Sequence, residues 1–352
     1  MKDIHDVIHD LQAYDGKPLR IMEVCGTHTA SIFKNGIKSL ISSRIKLISG
    51  PGCPVCVTPA AYIDRCVDYA LRPGYVLATF GDMMKVPGTR LSLTQAKAQG
   101  ANVLIIYSPE ALIETAKSQS DTTFVVAAVG FETTVPAYSL LLKAAEENGV
   151  NNIRLLTALR TIIPALDWLC AGEQQIDGFL APGHVSAIIG CEVFQPLAEQ
   201  YRKPFVVAGF EAEHILTALS DLVTQISGGT HDVRNYYKSV VKTQGNIQAM
   251  RIVDQYFEPG DAYWRGLGGI PGSGLYLREA YRQFDAGSFD IGGNEQQAAG
   301  CRCGEVITGR IDPDECPLFG TACTPLNPNG PCMVSAEGSC GIWYRNVQRL
   351  RS

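Results

Sequence analysis

The placement of its cysteines constrains this 352-residue chain more than any other feature. Six of the twelve (Cys301, Cys303, Cys316, Cys323, Cys332 and Cys340) fall within the last 52 residues. Three more, Cys25, Cys53 and Cys56, group near the start, while Cys66, Cys170 and Cys191 stand alone. The overall density is too low for a disulfide-built scaffold, and in a reducing cytosol such grouping points to metal or redox chemistry. The stretch 260–341 also carries sixteen glycines, where average usage gives about six. A segment so rich in turns is expected to lack a large regular core and to need a staple, which a metal cluster held by cysteines would provide.

Residues 20–230 have a different texture. Short β-rich runs alternate with helical patterns, and each run ends in a glycine-bearing turn, the rhythm of an α/β fold. Strands are expected over 20–24, 46–49, 75–80, 103–107, 123–129, 154–157, 178–180 and 204–208. Several read as apolar on both faces, as parallel strands do. The segment MKDIHDVIHDLQAY reads as a short amphipathic helix. Motifs also echo one another: VCGTHT at Val24 and VGFETT at Val129, GPGCPV at Gly50 and APGHVS at Ala181, ATFGDMM at Ala78 and VAGFEAE at Val207. The sequence therefore predicts two similar, mostly parallel lobes, over 20–125 and 126–230. A Gly/Cys-rich iron-sulfur domain is expected from 1–19 and 231–352.

Charge and hydropathy remove whole classes of function. Thirty Lys and Arg against thirty-five Asp and Glu leave a net charge of −5, and no basic run could neutralise a polyanion, so nucleic acid is not an expected partner. No apolar stretch approaches the ~18–20 residues that span a bilayer, so neither is a membrane. The expected location is the cytoplasm.

Two constellations sit at presumed strand ends, where open parallel sheets bind ligands. Cys25-Gly26-Thr27-His28 places a thiol and an imidazole there, a donor set suited to iron, zinc or copper. Gly50-Pro51-Gly52-Cys53-Pro54-Val55-Cys56 opens a presumed helix at Thr58, whose unpaired N–H groups would favour thiolate and reversible disulfide chemistry. Half a zinc site or inert packing are the competing readings of that pair. The C-terminal six allow fifteen choices of four ligands; they lack the paired knuckles of structural zinc sites, and widely spaced single cysteines suit an iron-sulfur cluster, with zinc or disulfides as alternatives. Asp82, Glu132, His184, Glu211 and His214 sit at other strand ends and would converge if the two lobes face each other. No G-x4-G-K-[ST], G-x-G-x-x-G, H-E-x-x-H or G-x-S-x-G is present, so ordinary nucleotide-binding, zinc-protease and serine-hydrolase readings are unsupported.

With CGTH, GPGCPVC, FGDMMKVPG, GFETT, APGHVSAIIG and the cysteine-rich tail in this order, nearly the whole chain resembles the HypD family of hydrogenase maturation proteins. The resemblance implies a [4Fe-4S] cluster on Cys-x14-Cys-x6-Cys-x16-Cys, spacings that Cys301, Cys316, Cys323 and Cys340 reproduce. It suggests that Cys303 and Cys332 form a thiol/disulfide pair beside the cluster. It further implies a redox-active scaffold, rather than a conventional turnover enzyme, on which the Fe(CN)2(CO) unit of [NiFe]-hydrogenase is assembled. A HypC-type small protein and a HypE-type cyanide donor would be its partners. Cys25 would ligate that transient iron with His28 beside it, and Cys53 and Cys56 would be the redox pair; Glu132, from its strand end, is counted with them as a candidate catalytic residue. A stand-alone iron-sulfur disulfide reductase is the alternative.

Overall fold

The structure, a computed structural model, describes residues 3–172, 175–289, 291 and 300–351, with side chains through 346. All eight expected strands form: β1 (Leu19–Glu23), β2 (Ile45–Ser49), β3 (Tyr75–Thr79), β4 (Val103–Ile105), β5 (Thr123–Gly130), β6 (Ile153–Arg160), β7 (Gly178–Ala181) and β8 (Phe205–Val207). Three further strands follow: β9 (Val233–Asn235), β10 (Phe257–Trp264) and β11 (Gly268–Leu277). They make two sheets, ordered β2-β1-β7-β8-β9 and β10-β11-β6-β5-β3-β4. Every pairing in the first sheet is parallel, and in the second only β10 and β11 run antiparallel to their neighbours.

The sheets do not follow the boundaries 20–125 and 126–230. The chain lays down β1 and β2, crosses to build β3 through β6 in the other sheet, and returns for β7 to β9. Each sheet is thus assembled from separated segments. VCGTHT and VGFETT follow β1 and β5, which border the strand-order reversals of their sheets, but the strand orders make β1 the counterpart of β3 and β5 that of β7, so these two motifs do not occupy equivalent places. GPGCPV and APGHVS follow β2 and β7 of one and the same sheet, so their shared spacing with the third pair is not the register of a repeat.

Side-chain alternation explains how the sheets pack. Val125 and Ala127 of β5 and Phe179 and Ala181 of β7 point into one core shared by both sheets, with Tyr62, Leu166 and Phe194 between them. Their neighbours Phe124, Val126 and Ala128 point to the far face of the second sheet, under Tyr138 and Leu142. Leu180 and Val206 point to the far face of the first, with Leu216 and Leu219. Period-two alternation with both faces covered is what near-continuous apolar strands require.

The N-terminal helix forms as expected, Ile4–Gln12, capped by the Asp3 side chain on the His5 N–H. Its Val7 and Leu11 pack on the far face of the first sheet rather than on the cysteine-rich tail. The glycine-rich stretch also builds more regular structure than its composition suggests. Gly266 and Gly268 turn the chain at φ +81° and +90°, a region that costs glycine nothing, and so close the β10–β11 hairpin onto the edge of β6. Trp264 is fully buried there and donates its indole N–H to Ser273 at 2.7 Å. No helix among the described residues is long and apolar enough to cross a membrane.

Candidate functional site

The carboxyl ends of both sheets open on a single cleft of about 320 Å³. Cys25 enters it from the end of β1, Asp82 from the turn after β3, Phe131 and Thr133 from the turn after β5, and His184 from the turn after β7. The strand-order reversals of two parallel sheets therefore face one another, which doubles the usual ligand crevice of such folds.

Cys25 caps the helix Gly26–Lys34 without a side-chain hydrogen bond. A helix N-terminus favours thiolate, but burial outweighs it: with Glu337 and Glu23 adding negative charge nearby, the thiol is pushed up to about 12. Glu23, buried beneath it, accepts from the Cys25 N–H at 3.2 Å and from the Thr29 hydroxyl, and burial raises its carboxyl to about 7. His28 is wholly buried. Its Nε2 lies 3.3 and 3.2 Å from the carbonyls of Ala208 and Gly209, so that nitrogen carries the proton, and Nδ1 has no partner. Burial lowers its pKa to about 4 and keeps the ring neutral. Phe210 lies between His28 and His184, its ring centre 4.8 and 4.2 Å from theirs, so GFEAEH contributes an aromatic spacer. Glu211 and His214 of that motif are not among the residues lining the cleft.

Cys53 and Cys56 are joined by a disulfide, and both are buried. The helix expected at Thr58 starts at Ala60 instead, because Pro59 occupies its N-cap in an extended conformation. The pair thus sits in its own turn, where the Cys56 N–H meets the Cys53 sulfur at 3.1 Å. Gly52 and Val55 of this turn line the Cys25 cleft.

All six C-terminal cysteines line one apolar pocket with Leu318, Phe319 and Met333. Cys303 Sγ and Cys332 Sγ are 3.5 Å apart, and hydrogen bonds from Cys301 and Cys332, helped by the charge of buried Arg265, hold the Cys303 thiol below the ordinary range. The same contacts push Cys301 and Cys332 up. The Asn329 N–H points at the Cys323 sulfur from 3.3 Å, a donor of the kind that stabilises a ligating thiolate. Among the described residues, no group of three or more His, Cys, Asp or Glu side chains stands ready to hold a single ion. Six thiols around one apolar pocket are donors of the type that iron-sulfur clusters use.

The tail joins the two regions. Trp343 packs edge-on against Phe33 with ring centres 5.1 Å apart, and Lys38 Nζ sits 4.2 Å from the indole centre. This docks the last helix on the one that starts at Cys25, and it carries Glu337 into the cleft, where burial and the charge of Asp82 raise its carboxyl. Sequence reasoning missed Glu337, and nothing in the segment VSAEGSC sets it apart. Cys53, Cys56, Cys303 and Cys332 all belong to the core shared by the two sheets. Glu132, by contrast, turns away from the cleft: its Oε1 accepts the Ile162 N–H at 2.7 Å, capping the helix Ile162–Ala171.

The family described as HypD, Hydrogenase formation hypA family, matches residues 1–347. The Hydrogenase maturation factor HypD of Escherichia coli (strain K12) is 43% identical over 337 residues, covering 95% of this chain and 90% of the relative. Those of Azotobacter vinelandii and Rhodobacter capsulatus are 42% and 43% identical, covering 92% and 94% of this chain and 88% and 89% of their own. The chain belongs to the HypD family of hydrogenase maturation factors.

Proposed function

We propose that this hydrogenase maturation factor is a redox-active scaffold on which an iron atom receives its diatomic ligands, as Fe(CN)2(CO), before transfer to the hydrogenase. The observation that carries the reading is the shared cleft: Cys25 and the turn holding the Cys53–Cys56 disulfide line one cavity between two sheets. Iron is the cargo. A thiol that burial holds at about 12 is uncharged until a cation arrives, and a bound cation then displaces its proton outright. Neutral His28 behind it keeps positive charge away from the incoming metal.

Cys301, Cys316, Cys323 and Cys340 would hold a [4Fe-4S] cluster, which when bound supplies single electrons. The chain's own redox couple is the Cys53–Cys56 bond, which takes up two electrons and two protons to give two thiols. In this reading electrons pass from the tail cysteines to the cleft pair. A HypC-type small protein would complete the iron site with a further thiolate, and a HypE-type partner would deliver cyanide. Burial of both disulfide sulfurs speaks against the stand-alone reductase, which needs an accessible bond.

Iron counting tests the proposal. Anaerobically purified protein should carry cluster iron plus one further atom, and Cys25→Ala should remove only the latter. Protein isolated with its small partner should show infrared bands in the cyanide and carbonyl stretching region. Retention of the extra iron by Cys25→Ala, or metal-free protein that still matures its client, would overturn the reading.

A further inference from the structure

The turn after β5 has two faces. Phe131 and Thr133 line the cleft of Cys25, but Glu132 between them lines a second cavity of about 240 Å³ on the opposite side. Its walls come from both lobes: Ile188 from the helix Gly183–Ile189 after β7, and Met250 and Val253 from the helix Ile247–Tyr256 that leads into β10. The lining is almost wholly aliphatic, and none of it is Lys, Arg or His.

Two polar atoms at this cavity have no partner. Glu132 is 8% exposed, and while Oε1 caps a helix, Oε2 accepts nothing; Thr161 Oγ1, also lining the cavity, is likewise buried and unpaired. Leaving a buried carboxylate oxygen without a donor is costly, and native proteins rarely do so without a ligand or a functional reason. Exposed Asp254 on the lining adds negative charge, so an anion is disfavoured and a donor-bearing cation suits the site.

We propose that this cavity binds a small organic ammonium compound, its N–H group on Glu132 Oε2 and Thr161 Oγ1 and its hydrocarbon body against Ile188, Met250 and Val253. The site is separate from the iron cleft and does not depend on the scaffold reading, but the two share the wall formed by residues 131–133. A ligand here bridges the helices of both lobes and abuts the turn that shapes the cleft.

Calorimetric titration of the full-length protein at about pH 8.5, above the range in which Glu132 keeps its proton, with phenethylamine, and with 3-phenylpropionate as an anion of similar size, tests this. The amine should bind saturably at one site and the carboxylate should not. Glu132→Gln keeps an acceptor for the Ile162 N–H but loses the charge, and should weaken amine binding at least tenfold. Val253→Trp fills the cavity and should abolish binding while leaving Glu132 intact, so the outcome does not hang on one variant's folding. Absence of saturable amine binding at millimolar concentration, equal binding of the two probes, or undiminished binding in either folded variant would overturn the proposal.

Discussion

Gly52 and Cys25 meet backbone to backbone: a Cβ on Gly52 would stand 2.5 Å from the Cys25 amide nitrogen. This approach seats the disulfide turn beside the Cys25 thiol, and only glycine permits it. Gly52→Ala should therefore wedge the two motifs apart at about 1–3 kcal/mol of stability, the range for overpacking. Denaturant unfolding measures the loss, and the iron count should fall with it even though no sulfur has been changed.

The contact of Cys303 with Cys332 predicts which bond mild oxidation makes in the tail. Their sulfurs are 3.5 Å apart, against about 2 Å in a disulfide, so a short approach would join them. Peptide mapping under non-reducing conditions should recover a Cys303–Cys332 crosslink from oxidised protein. Cys301 joined to Cys303 instead would show that the pair has been misassigned.

Trp343 ties the cysteine-rich tail to the helix after Cys25 through Phe33 and Lys38. Its ring pairing and cation contact are together worth about 1–2 kcal/mol beyond the area buried. Trp343→Ala should loosen the tail selectively, seen as faster proteolysis after residue 300 with little change before it. Because Glu337 travels with the tail, iron held in the cleft should become easier to chelate.

Glu132 makes stability depend on pH. Burial raises its carboxyl from 4.5 to about 7 in the folded chain. Between those values the unfolded chain has released a proton that the folded chain keeps, so this group's contribution is complete below pH 4.5 and disappears as pH rises to about 7. The difference is up to about 3 kcal/mol. Glu132→Gln should lack this dependence, as unfolding titrations at pH 5 and pH 7.5 would reveal; identical slopes in the two proteins would contradict it.

What could be read from sequence follows from how local each signal is. The eight parallel strands were legible because runs such as FVVAAVG are apolar on both faces and end at glycine turns. The strand-end placement of Cys25 and of the Cys53–Cys56 turn beside the cleft was legible for the same reason, since each motif follows directly on a strand. The β10–β11 hairpin was not, because its glycines depress strand propensity while being the residues its turns require. Sheet membership was hidden too: β2 and β3 are consecutive yet lie in different sheets, and pairing across such distances leaves no periodic trace. Glu337 reaches Cys25 from more than 300 positions away, and only the docking of the tail brings it there.

The crossing of the chain between sheets has a consequence for its birth on the ribosome. The parallel strands of the second sheet, β3 to β6, emerge in one stretch and can pair at once. β1 has only β2 for company until β7 arrives at Gly178, and through that interval the side meant for β7 is an open, apolar edge. The sheet bearing Cys25 thus keeps that edge open from Glu23 to Gly178, while the run β3 to β6 has already paired, and nascent chains stalled before Gly178 should be held by chaperones.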